Sequence, residues 1–173
     1  MNNRRLNFPS WTKWVVLGVL LLMVAIIAFI TFLYVDIQNS KTEGYFSAEK
    51  RVLDETSITS IRNTIRFHGD EAYHVVYGET EKNKEQIVFV PNDKKVDLTI
   101  VDQEDILSSD TIESDWKKNC SGCELKNIVP AIIKDNVLWE ITYIDEANRY
   151  VIDYVSMYDG TQYEEFRFKK MFE

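Results

Sequence analysis

Residues Trp14 to Val35 (WVVLGVLLLMVAIIAFITFLYV) form 22 consecutive positions with no charge and no proline. A water-soluble fold would have to surround such a segment on every side, and the rest of the chain has too little apolar material to do so. A helix needs about 20 apolar residues to cross roughly 30 Å of hydrocarbon, so the run is predicted to be a transmembrane helix. Arg4, Arg5 and Lys13 precede it, no acidic residue occurs among the first 13, and Asp36 closes it. The positive-inside rule then places a tail of residues 1–13 in the cytoplasm and everything after Val35 outside. Trp11, Trp14 and Tyr34 lie near the ends, where amphipathic rings favour the membrane–water interface. A cleaved signal peptide is the competing reading. Its apolar region is shorter, about 7–15 residues, and leads to a small-residue cleavage site. The residues Tyr34-Val35-Asp36-Ile37-Gln38 offer no such site, and no cysteine follows to take a lipid. The expectation is an uncleaved signal anchor over 14–35. Residues 36–45 are polar, either a short linker or a helical continuation.

The outer part, 36–173, is large enough for one ordinary domain or two small ones. It carries 17 basic against 28 acidic residues, a net charge of −11. That balance argues against nucleic acid as a partner and against lying flat on anionic lipid. Two cysteines, Cys120 and Cys123, are too few for a disulfide scaffold, so a hydrophobic core must carry the fold.

Phe46, Leu53, Ile58, Ile61 and Ile65 recur at intervals that suit one side of a helix, with a kink or break at Thr56-Ser57 and a stop at Gly69. Three strands are predicted next, over 72–79, 86–90 and 95–101. The last puts Val96, Leu98 and Ile100 on one face against Lys95, Asp97 and Thr99. Asp110-Thr-Ile-Glu113 reads as an acidic cap opening a second helix. Ile112, Trp116 and Cys120 form its stripe, and Gly122 is a plausible stop. Four strands follow, near 124–133, 137–144, 149–157 and 161–169. Trp139, Ile141 and Tyr143 alternate with Glu140 and Thr142, and Asp159-Gly160 signals a two-residue hairpin. The outer part thus reads as an α+β repeat, with a helix laid on an antiparallel meander twice over, divided as 46–103 and 104–173.

At this point the chain resembles a known family. Tyr73-His-Val-Val-Tyr-Gly78 and Ile87-Val-Phe-Val-Pro-Asn-Asp-Lys-Lys95 are similar to the first outer module of the TseB-like (YpmB-type) proteins of low-GC Gram-positive bacteria. Val137-Leu-Trp-Glu-Ile-Thr-Tyr-Ile-Asp145, Arg149–Val155 and Asp159-Gly160 resemble the strand and hairpin that follow in that family. The resemblance implies one membrane helix and two tandem cystatin-like modules related to PepSY domains. It also implies regulation of cell-wall elongation beside a penicillin-binding transpeptidase. It implies no catalytic residues and no cofactor. The Cys120-Ser-Gly-Cys123 motif is not part of the family pattern, and the first helix is less alanine-rich than that pattern.

Each chemical motif has a plainer alternative. A redox C-x-x-C opens a helix, where the dipole lowers the thiol pKa, whereas Cys120 falls at a predicted helix end. A local disulfide or two packed thiols remain the simpler readings. His68 and His74 would complete a Cys2His2 zinc set with the cysteines, but they sit in the other half of the repeat, and His74 is expected to face solvent. Glu104/Asp105 and Glu164/Glu165 are carboxylate pairs of the kind used in glycoside hydrolysis, yet pairs arise by chance among 28 acidic residues. No G-x-S-x-G elbow supports a Ser-His-Asp hydrolase. Asn119-Cys-Ser121 is a chance match to a glycosylation acceptor. Trp139, Tyr143, Tyr150 and Tyr154 are expected to pack inward on the Ile112/Trp116 helix. The function expected is a non-enzymatic, membrane-anchored regulator of peptidoglycan elongation. A PepSY-type inhibitor or chaperone of a secreted protease is the alternative, and a wall enzyme with an unrecognised site the third.

The anchor reading is checked directly. The mature protein is expected to retain Met1–Val35, and external protease to remove the part after Asp36. N-terminal sequencing of a mature chain beginning beyond residue 30 would sink it.

Overall fold

The computed structural model describes residues 10–41, 44–69 and 71–169. Arg4 and Arg5 of the basic flank lie outside them. Helix α1 runs Ser10–Lys41. Its apolar stretch Lys13–Asp36 is 24 residues, about 36 Å at 1.5 Å per residue, which is long enough to cross a bilayer. The Thr31 hydroxyl donates to the Ile27 carbonyl (2.8 Å), so this polar group is satisfied within the helix. The helix extends beyond Asp36 into the polar segment, the continuation rather than the linker for residues 36–41.

Gly44–Glu173 form a separate compact unit. It opens with α2, Tyr45–Glu55. Ala48 and Val52, four apart, are the helix's buried residues, while Phe46 and Leu53 are exposed. The expected stripe is therefore rotated. The helix also does not resume after a kink. Thr56 ends it, its hydroxyl donating to Val52 O (2.7 Å) and accepting from the Ile58 amide (3.1 Å). Ile58–His68 is strand β1. The physical reason is the β-branched run Ile58, Thr59, Ile61, Thr64, Ile65, which loses rotamer freedom in a helix and fits a pleated surface.

Strands β2 (Ala72–Thr80), β3 (Glu85–Pro91) and β4 (Thr99–Asp102) complete an antiparallel sheet in the order β1-β2-β3-β4. The expected strand over 95–101 shrinks to four residues. Val96 and Ile100 are exposed, Leu98 of the expected face packs on the α2-side cluster, and Val101 is buried on the other face. Register shifts in the β1–β2 ladder at Ile58/Ser60 and Ile61/Asn63 curl the sheet. Gly78 is required there, because a Cβ would lie 2.5 Å from Ile58 Cγ2.

A short 3-10 turn, Gln103–Asp105, leads to α3, Ser109–Asn119. The cap is Ser108, whose hydroxyl accepts from the Thr111 amide (3.2 Å), and Asp110 falls in the first turn instead. The helix ends at Asn119 with Cys120 as its cap, so Gly122 lies beyond the stop. Strands β5 (Glu124–Ile133), β6 (Asn136–Ile144), β7 (Arg149–Ser156) and β8 (Gln162–Lys169) form the second antiparallel sheet in chain order. Lys134 and Asp135, with φ of 48° and 66°, make the two-residue β5–β6 turn. The Asp159-Gly160 signal belongs to a four-residue loop, 157–160. The loop is closed by Ser156 N donating to Thr161 O (2.8 Å), with Gly160 at φ 72°.

Two buried clusters hold this unit. Ala48, Val52 and Ile58 pack on Val76, Val88 and Val90, which face α2. On the other face of the same sheet, Phe67, Val75, Ile87, Phe89 and Val101 belong to one cluster with the second sheet and with Ile112 and Trp116 of α3. Trp139 lies under α3 as the alternation predicted, its indole N–H donating to Leu107 O (2.9 Å). The opposite face of β6 is not solvent. Thr142 is buried, and Glu140 accepts from the Tyr154 hydroxyl at 2.7 Å.

Trp139→Ala should cost about 3–5 kcal/mol, as for other buried aromatics. Glu140→Ala should cost about 1–2 kcal/mol, because the buried Tyr154 hydroxyl loses a charged acceptor. Gly78→Ala should cost about 1–3 kcal/mol through overpacking on Ile58. Urea melts of the three variants against the parent test the order. A silent Glu140→Ala would show that its bond carries no stability.

Candidate functional site

The second sheet and α3 enclose a groove of about 580 Å³. Strand alternation builds it. Ile141 pairs across the ladder with Asp153, Tyr143 with Val151, and Trp139 with Val155, so these side chains share the face that α3 covers. Next to them, Asp153 pairs with Glu165 and Val151 with Arg167 of β8. Trp116 of α3 meets Tyr143 edge-on, ring centroids 5.4 Å apart. The floor is thus apolar and aromatic, and its open side carries Asp153, Gln162, Glu165 and Arg167.

The charges on that side are unequal. Glu165 is paired with Arg167, whose guanidinium holds the carboxyl below its ordinary pKa. Asp153 accepts from the Gln162 amide (3.0 Å) and makes no ion pair among the described residues. Burial pushes its carboxyl above the ordinary value, against the Gln162 hydrogen bond. Burial, with Glu165 and Asp153 nearby, also raises the Tyr143 phenol. The Trp116 indole N–H is buried and has no hydrogen-bond partner. Gln162 also donates to Glu165 (3.4 Å), so its amide lies between the two carboxylates. A sugar ring would have to take that space in a glycosidase. Among the described residues its lining carries no serine, threonine or histidine, and Cys120 is held in the disulfide.

A second hollow of about 140 Å³ lies at the start of α2, lined by Gly44, Arg51, His74 and Lys94 among others. His74 is buried there, edge-on to Tyr45 at 5.7 Å, not solvent-facing as expected. A Cβ on Gly44 would lie 2.8 Å from the His74 ring, and Gly44 has φ 85°. Close approach and backbone conformation both demand glycine at this position.

The other sequence candidates do not converge. Cys120 and Cys123 are paired at the end of α3, with Cα atoms 5.4 Å apart. His68 ends β1, and His74 faces α2. No group of three metal-ligating side chains forms among the described residues. Glu104 and Asp105 are exposed in the 3-10 turn. Glu164 and Glu165 are consecutive in β8 and point to opposite faces. Of the four strand aromatics, Trp139 and Tyr143 pack toward α3. Tyr150 and Tyr154 lie on the opposite face, where Tyr154 meets Phe166 at 6.3 Å. Sequence reasoning missed Asp153, Gln162 and Arg167. The usable signal was Asp153 itself, a carboxylate between Val151 and Val155 on what reads as an inward face.

A family model described as "Cell wall elongation regulator TseB-like domain" matches residues 47–91, from α2 through β3. A Bacillus subtilis (strain 168) protein described as "Probable cell wall elongation regulator TseB" is 27% identical over 146 residues. The match covers 84% of this chain and 89% of that one. The solved structure of the YpmB protein from Bacillus subtilis superposes with a TM-score of 0.67 at 28% identity, covering 72% of this chain and 98% of that one. All three comparisons point the same way, the family model over α2 through β3 and the two relatives over most of the chain, and the chain is similar to the TseB-like (YpmB-type) cell wall elongation regulators.

Proposed function

We propose that this protein is a non-enzymatic, single-pass regulator of cell-wall elongation. Its N-terminus is cytoplasmic and its body lies outside the membrane. It acts by binding an envelope protein such as a penicillin-binding transpeptidase. The two helix-on-sheet halves, 46–103 and 104–173, are read as cystatin-like modules related to PepSY domains. The observation that carries this reading is the union of a membrane-length apolar helix with a body whose groove beneath α3 offers contact surface and, among the described residues, no serine or histidine. The regulator name of the Bacillus subtilis relative supports it. The Cys120–Cys123 pair closes a loop too short to restrain much chain entropy and is read as structural.

Anchoring matters in this reading because it confines both partners to one thin layer and raises their effective concentration. Deleting the gene should change cell length, shape or sensitivity to wall-targeting antibiotics. The Cys120→Ser/Cys123→Ser variant should restore the wild-type state. His74 is left intact in that test because it is buried. The outer part released without Met1–Val35 should restore it poorly, and crosslinking in living cells should recover a membrane transpeptidase with the anchored form. Full complementation by the released part at native abundance would refute the anchored-binding reading.

A further inference from the structure

The groove beneath α3 holds a carboxylate in an unusual state. Asp153 sits half-buried with an amide as its hydrogen-bond partner and no ion pair among the described residues. Arg167, the cation that influences it, is already held by Glu165. A buried carboxylate without a paired cation is costly, and a cation brought from outside would offset that cost. The neighbouring surface suits such a cation. Ile141 and Val155 offer an apolar floor for a methylene stem, and Trp116 and Tyr143 add aromatic rings to the same lining. All of these line the same groove.

A further observation points to a peptide. Strand β8, which carries Glu165 and Arg167, is the outer strand of its sheet, and an extended segment adds most simply to such an edge. The lining carries Asp115, Asp153, Asp159 and Glu165 against Lys118 and Arg167, so the groove is net acidic.

We propose that this groove is a socket for a lysine or arginine side chain presented by an extended segment of a partner protein, with Asp153 as its counter-ion. The proposal rests on the reading of the protein as a binding regulator and names the chemistry its partner must bring.

The test uses the full-length protein in detergent micelles. The probes are two labelled nonapeptides of alternating serine and valine, identical except for a central lysine or norleucine, titrated by fluorescence anisotropy. The lysine peptide should bind at least about tenfold more tightly, and the difference should shrink as salt rises. Asp153→Asn should abolish that preference, while Glu113→Gln, on the exposed side of α3, should leave it unchanged. Asp153→Asn should also melt no lower than the parent at neutral pH. A carboxyl raised in the folded state favours folding below its unfolded pKa, and that advantage is lost as pH rises through the folded value. Equal binding of the two peptides to the unaltered protein would overturn the socket, whatever the variant does. So would a folded Asp153→Asn protein that keeps the preference. Either result would leave the anchored-regulator reading standing if the deletion strain still shows its wall phenotype. Loss of that phenotype with the preference intact would instead strike the regulator reading and keep the socket's chemistry.

Discussion

The first sheet is buried on both faces, and the rest of the unit that begins at Gly44 depends on that. Val76, Val88 and Val90 face α2, while Val75, Ile87 and Phe89 face the core shared with the second sheet. An antiparallel sheet with one wet face alternates apolar and polar residues, but His74-Val-Val-Tyr77 and Ile87-Val-Phe-Val90 run nearly without polar interruption. Two halves that look like a repeat in sequence are therefore joined through a continuous interior. A substitution at Phe89 would be felt by α3 as well as by its own strand, since packed interiors transmit strain instead of absorbing it.

This arrangement explains what was legible beforehand. The second half reads well because each strand is strongly periodic and bounded by turn residues, and Ile112 and Trp116 mark one helix face. The first half reads poorly between Thr56 and His68. There the isoleucines at 58, 61 and 65 satisfy a helical spacing, but bulges at Ile58/Ser60 and Ile61/Asn63 disturb the strict alternation that would have revealed a strand. β-Branching was the better guide than spacing. The cap error has a similar origin. Asp110 and Ser108 are both competent caps, and the choice of Ser108 fixes which residues of α3 meet the sheet.

The anchor was the most legible feature, since bilayer thickness imposes a length that few other structures require. The groove was the least. Its strand-borne polar members, Asp153, Gln162, Glu165 and Arg167, come from two strands whose faces are assigned only once register is known, and a one-residue slip sends each of them to the other side. The bulge between Tyr154 and Val155 makes that register hard to count from sequence. The expected inward set included Tyr150 and Tyr154, which share a face, but it is the face away from α3.

Positions that break folding rules deserve the closest physical reading, because folding alone does not favour them. Asp153 is one, a carboxylate partly desolvated with no ion pair among the described residues. Strand β8 is another. It is an outer strand carrying exposed Tyr163, Phe166 and Phe168, which invites association. Its intervening residues are Glu164, Glu165, Arg167 and Lys169, and charges on an edge discourage pairing with identical neighbours. The excess of acidic residues after Val35 adds to that discouragement between copies of the chain, while favouring segments of opposite sign. Edge charges and net charge therefore act in one direction, against self-association.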